Sequence, residues 1–228
     1  MIISGMVKSS LVDYPGLVST VLFTPGCNYN CFYCHNRQLI ESGSDGISQD
    51  AIEDFLTKRS GLLDAVVITG GEPTLHSDLI PYLASIKRHG YKIKLDSNGS
   101  SPQVIRAVLE SRLCDYFAID YKAPTTRYVE FCGKDAKAGA VLDTITTLIE
   151  ANANFEVRTT VVPQLGEDDL VQMAKELPIV PRYVLNRYRP PELYLPRDRE
   201  RIAAPPYSQA QIETFAATLR KWQPNATS

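Results

Sequence analysis

The sequence predicts an α/β fold, an open, partial (β/α)6 barrel within a single domain over residues 1–228. Three observations lead there. Apolar, β-branched runs alternate with amphipathic stretches along the chain, which is the pattern of βα units around a parallel sheet. Six such units can be counted, too few to close an eight-fold barrel. A chain of 228 residues that is 44% apolar is long enough to bury one substantial core.

The strands are expected at Leu17–Phe23, Ala65–Thr69, Lys92–Asp96, Tyr116–Tyr121, Glu156–Val162 and Tyr183–Tyr188, each followed by a loop and a helix. Ser101-Pro102 offers an N-cap and a proline at the first helical position, and Ser208 with Gln211 reads as a capping box. Beyond Ser208, the residues Ile212, Phe215, Ala216, Leu219 and Trp222 recur at helical spacing and define one buried face. The proline-rich stretch Arg189–Pro206 lies between the sixth strand and this final helix, and reads as a covering loop.

A charged fraction of 22% and a formal net charge of −2 describe a globular protein and favour neither a nucleic-acid nor an anionic-membrane partner. No segment approaches the roughly 18 consecutive apolar residues of a membrane helix, and no basic, apolar leader opens the chain. A cytoplasmic location is the expectation. Three of the five cysteines are too tightly clustered for a secreted disulfide framework, so a reducing compartment fits better. The other two, Cys114 and Cys132, are isolated and read as small buried hydrophobes.

The clustered three, Cys27, Cys31 and Cys34, follow the first strand with C-x3-C-x2-C spacing. A cubane iron–sulfur cluster is normally held by four thiolates. Three ligands leave one iron open to bind something else, so such a cluster would do chemistry as well as carry electrons. Ligands of parallel α/β folds bind beyond the carboxyl ends of the strands, and those ends are polar throughout. Strand two runs into Gly70-Gly71-Glu72-Pro73-Thr74, strand three ends in Asp96-Ser97-Asn98-Gly99 and strand four in Asp120-Tyr121-Lys122. Strand five carries Arg158, whose charge needs a partner if it points inward, and strand six carries Asn186 and Arg187.

With these motifs in place, the chain resembles the radical S-adenosylmethionine (SAM) superfamily. The C-x3-C-x-aromatic-C motif is matched by Cys27, Cys31, Tyr33 and Cys34, and Gly70-Gly71-Glu72-Pro73 matches the family's GGEP motif. The resemblance implies an open TIM-like barrel and a [4Fe–4S] cluster on the three cysteines, with SAM chelated at the open iron. It implies that Glu72 contacts the methionine amino group, that Gly70 and Gly71 allow close approach, and that Ser97 and Asn98 contact the ribose. Within the superfamily, Ser10–Gly16, Phe23–Cys27 and Cys34-His35-Asn36 resemble the activating enzymes of glycyl radical proteins, above all those of anaerobic ribonucleoside-triphosphate reductase. Asp120 and Lys122 match the activases' D-x-K motif, and Tyr33 and His35 join the implied cofactor-binding set. A SAM carboxylate or ribose would serve Arg158. Some activases place a SAM-contacting histidine on the last strand; the three histidines here are His35, His76 and His89, so Asn186 is the candidate replacement. No cysteines for additional clusters follow the first motif, which implies flavodoxin or ferredoxin as the electron donor.

Competing readings remain at this level. A structural zinc site needs a fourth ligand; His35 is at hand, but its adjacency to Cys34 makes joint ligation awkward, and zinc leaves the GGEP and D-x-K matches unexplained. A small-molecule radical SAM enzyme of the 7-carboxy-7-deazaguanine synthase kind keeps the cofactors and changes the substrate. Asp120 and Lys122, two apart on a strand, face one side and read equally as a rim ion pair. His76 and His89 read as solvated helix residues.

Overall fold

The computed structural model describes residues 1–40 and 46–228. In chain order the elements are β1 (Gly5–Tyr14), β2 (Leu17–Thr24), α1 (Gln49–Arg59), β3 (Ala65–Gly70), α2 (Leu79–Arg88), β4 (Lys92–Ser97), α3 (Pro102–Ser111) and β5 (Tyr116–Asp120). There follow α4 (Tyr128–Cys132), α5 (Ala138–Glu150), β6 (Phe155–Val161), α6 (Glu167–Glu176), β7 (Tyr183–Arg187), α7 (Arg199–Ala203), α8 (Gln209–Leu219) and β8 (Ala226–Thr227). Within each of two compact units the strands pair mostly in parallel, each beside its neighbour in the chain. This is the α/β class expected from the sequence.

Two compact units divide the chain. The first comprises Met1–Asn28, Gln38–Ser97 and Gln103–Ala118. In it β2, β3 and β4 pair in parallel, with Val21 opposite Val67 and Val67 opposite Lys94. The first four residues of β3 are all buried, so its sequence is a continuous apolar run rather than an alternation. Tyr14 packs with Val21, Ala65 and Val67. Ser48 caps α1 by accepting the Ala51 amide at 3.2 Å, while Lys58 and Arg59 occupy the last turn, where cations suit the helix dipole.

The second unit comprises Tyr29–Arg37, Asn98–Pro102 and Ile119–Ser228. Here β6, β7 and β8 pair in parallel, with Arg158 opposite Val184 and Thr160 opposite Asn186. Helix α5 buries Val141, Thr144, Ile145 and Leu148, an i, i+3, i+4, i+7 stripe. The expected capping box of Ser208 and Gln211 opens α8, which buries Ile212, Ala216 and Leu219.

All six expected strands are present, with ends moved by one residue at most. Two further strands are added. The first, β1, pairs antiparallel with β2; its exposed Leu11 and Val12 and its two register shifts break the alternation by which a strand is read. The other, β8, has only two residues. The Arg189–Pro206 stretch is irregular as expected but contains the short helix α7. Neither His76 nor His89 is simply solvated: His76 Nε2 lies 2.9 Å from the Pro25 carbonyl, and His89 Nε2 lies 2.9 Å from Glu53.

Candidate active site

In the first unit the Gly-Gly-Glu-Pro turn is built against the end of β2. The Gly71 amide donates to the Thr24 carbonyl at 2.8 Å and the Glu72 amide to the Gly26 carbonyl at 2.7 Å. Gly70 has φ +120, and a Cβ there would stand 2.3 Å from the Thr24 nitrogen. At Gly71 a Cβ would stand 1.9 Å from the Gly26 oxygen. Both positions therefore demand glycine. The turn delivers Glu72 to a fully buried position, where Oε1 accepts from the Thr74 amide at 3.0 Å, the Thr74 hydroxyl at 2.6 Å and the Ser97 hydroxyl at 2.8 Å. Two expected SAM contacts, Glu72 and Ser97, thus share one hydrogen-bonded group. Cys27 belongs to the same unit; it is half-buried, and its amide donates to the Ile40 carbonyl at 3.3 Å.

In the second unit β5 and β6 place three charges together. Lys122 Nζ lies 3.0 Å from Asp120 Oδ2, and Arg158 approaches Asp120 Oδ1 through both Nε and a terminal nitrogen at 3.0 Å. Burial opposes charge on Asp120, but Arg158 and Lys122 outweigh it and hold the carboxyl down at about 2. The inward charge of Arg158, expected to need a partner, meets Asp120 across adjacent strands. The Lys122 ammonium is held above its usual range by Asp120, Cys31, Tyr33 and Cys132 despite burial.

Cys31 and Cys34 lie in this same unit. Cys31 is buried, and the thiol of Cys132 hydrogen-bonds it; that bond, opposed by burial and helped by Lys122 and Arg37, holds the Cys31 thiol below its usual pKa. Cys34 is pushed up by burial and by the neighbouring Cys31. Aromatic rings line the loop: Phe32 meets Phe131 at 5.7 Å, Tyr29 meets Tyr128 at 6.2 Å and Tyr33 meets Tyr188 at 6.5 Å, all edge to face. Such a shell sets solvent access and dielectric around a metal group.

The remaining candidates are spread more widely. His35 is exposed and its ring bonds the backbone of Arg189. Asn98 is buried and accepts the Ser100 amide at 2.9 Å through its side-chain oxygen. Asn186 is exposed near the end of β7. Cys114, expected as a small buried hydrophobe, is half-buried at the residue level; its thiol donates to the Tyr116 carbonyl at 3.1 Å and its pKa is pushed up to about 12 by burial. Cys132 is buried as expected but touches Cys31, a contact no local sequence signal foretells. Three further residues, to which the sequence assigns no role, support the site. Thr74, adjacent to the GGEP motif, completes the Glu72 network. Arg37 donates to the Cys31 carbonyl at 2.9 Å and to the Asn30 side chain at 3.0 Å. Arg201, from the proline-rich stretch, stacks 3.6 Å from the centre of the Phe32 ring. Among the described residues, no three His, Cys, Asp or Glu side chains converge as a metal centre.

Residues 21–177 match the radical SAM superfamily, and the chain belongs to that superfamily. It is a radical SAM enzyme, and the cofactors of its family are a [4Fe–4S] cluster and SAM. Over 98% of its length the chain is 33% identical to a Methanocaldococcus jannaschii protein named "Putative glycyl-radical enzyme activating enzyme", 94% of which is covered. A second M. jannaschii protein of the same description is 28% identical over 68% of this chain and 61% of its own length. Among solved structures, Streptococcus suis SuiB bound to SAM superposes with a TM-score of 0.67 at 13% identity. That match covers 89% of this chain but about half, 48%, of SuiB, and it speaks for the fold alone. Among the described residues, no helix is long and apolar enough to cross a membrane.

The residues present fit the family's cofactors by the chemistry of their donors. Thiolates are the ligands of iron–sulfur clusters, and the loop supplies three. The two glycines leave backbone open where any side chain would collide, and a buried carboxylate beside them suits an ammonium group.

Proposed function

We propose that this protein is an activase that installs a glycyl radical on a partner enzyme, and that the partner is anaerobic ribonucleoside-triphosphate reductase. The observation that carries the reading is the likeness, end to end, to a relative named for that activity, 33% identical over 98% of this chain and 94% of the relative. The Ser10–Gly16 and Cys34-His35-Asn36 signatures favour the reductase among possible partners.

When bound, the cluster and SAM supply one-electron cleavage of the sulfonium into methionine and a 5′-deoxyadenosyl radical that abstracts hydrogen. The chain holds and orients. Cys27, Cys31 and Cys34 ligate the cluster, and Tyr33 shields it. Glu72, steadied by Thr74 and Ser97, receives the SAM ammonium with little reorganisation. Gly70 and Gly71 admit the methionine moiety, and Ser97 and Asn98 bind the ribose. Asp120, Lys122 and Arg158 form a polar group that positions SAM, and Asn186 and His35 add further contacts to it. Flavodoxin or ferredoxin in a reducing cytoplasm supplies the electron.

The test is an anaerobic EPR spectrum of the reduced protein incubated with SAM and the partner reductase, with 5′-deoxyadenosine assayed in the same tube. A glycine-centred doublet together with 5′-deoxyadenosine is the expected result. 5′-Deoxyadenosine without the doublet, across a panel of glycyl radical enzymes, would move the substrate to a small molecule and overturn the proposal.

A further inference from the structure

Cys132 ends α4 and lies outside every motif that points to the cofactors. Its surroundings nonetheless tie it to the cysteine loop. The Asn30 amide donates to the Cys132 carbonyl at 2.8 Å, and Phe32 packs on Phe131. The next residue, Gly133, lies so close to Asn30 that a Cβ there would stand 3.3 Å from the Asn30 Cβ. Residues 30–32 therefore run alongside residues 131–133. That register sets Cys31 and Cys132 side by side, both buried, and brings the Cys132 thiol to the Cys31 sulfur.

We infer that Cys132 is a positioning residue that tunes the iron–sulfur cluster by donating an S–H hydrogen bond to the ligand sulfur of Cys31. The inference rests on the reading of Cys31 as a cluster ligand. Reduction adds one negative charge to a cluster, and part of it resides on the ligand sulfurs. A donor aimed at one of those sulfurs stabilises the reduced state more than the oxidised state, and such hydrogen bonds are among the determinants of cluster potential. In a buried site the effect is larger than in water, because the local dielectric is low. Cys132 therefore makes the cluster easier to reduce without touching iron or SAM.

The experiment is an anaerobic, EPR-monitored redox titration of the reconstituted holoprotein, with iron and sulfide counted in each sample. Cys132→Ala and Cys132→Val remove the donor at two different side-chain volumes, and Cys132→Ser keeps one. At a fixed solution potential, both donor-less variants are expected to show a reduced-to-oxidised cluster ratio about threefold to tenfold below wild type, while the serine variant stays close to it. A ratio equal to wild type in either donor-less variant that retains its four irons overturns the inference. Should neither retain them, the serine variant decides, since a lowered ratio there would mean that the thiol acts by packing rather than by donation. If the wild-type protein takes up no four-iron cluster, the functional reading itself fails, an outcome separable from the others by the iron count alone.

Discussion

Ser97 Oγ donates to Glu72 Oε1 at 2.8 Å, joining the last residue of β4 to the turn that follows β3. The same oxygen takes two bonds from Thr74. A buried carboxylate is thereby fixed in place before any ligand arrives. Glu72→Gln keeps an acceptor and removes the charge, so it is expected to leave the melting temperature within a few degrees of wild type while weakening SAM binding at least about tenfold, or ~1.4 kcal/mol. Glu72→Ala also strands the Thr74 and Ser97 donors, at about 1–3 kcal/mol for each group left unsatisfied. Calorimetric SAM titration and thermal melts separate the two effects.

Gly71 admits no side chain without moving backbone, because the obstacle is the Gly26 carbonyl rather than a flexible side chain. Gly71→Ala is expected among the severe single substitutions, at more than about 4 kcal/mol. Urea denaturation measures it, and a loss below about 1 kcal/mol would show that the turn can yield.

Asp120 sets a pH dependence. Its folded pKa of about 2 lies below the ~3.9 of an unfolded aspartate, so the unfolded chain takes the proton first as pH falls. The stability it contributes is complete above about pH 4.5 and disappears as pH drops toward 2. Its side chain is about a third exposed, so solvent screens part of the effect. The stability gap between wild type and Asp120→Asn should be flat above about pH 4.5 and close toward pH 2; a constant gap across that range would refute the assignment.

Arg201 holds the cysteine loop through Phe32 and also reaches the Glu130 carboxylate at 3.4 Å. Arg201→Ala is expected to speed amide hydrogen exchange in residues 29–37, and Arg201→Lys to restore little, because an ammonium lacks the planar face that stacks on a ring. Exchange followed by mass spectrometry reports it, and rates equal to wild type would remove Arg201 from the support of the loop.

The βα alternation, the three-cysteine loop, the paired glycines and the D-x-K pair were all legible in the residues, because each depends on neighbours a few positions apart. β1 was not. Its exposed apolar residues and bulges hide the period of two, and its pairing is decided by β2. The pairing of Arg158 with Asp120 was hidden for a related reason, since the two are distant in sequence and meet only when β5 and β6 are laid down. The Cys31–Cys132 contact, the stacking of Arg201 on Phe32 and the convergence of Ser97 on Glu72 are of the same kind. Sequence by itself determined the fold class and the donor chemistry, which follow from side-chain type and short-range spacing. Tertiary structure alone decided which donors meet, because hydrogen bonds and ion pairs form only within about 3 Å, and chain distance says nothing of that separation until the strands are packed.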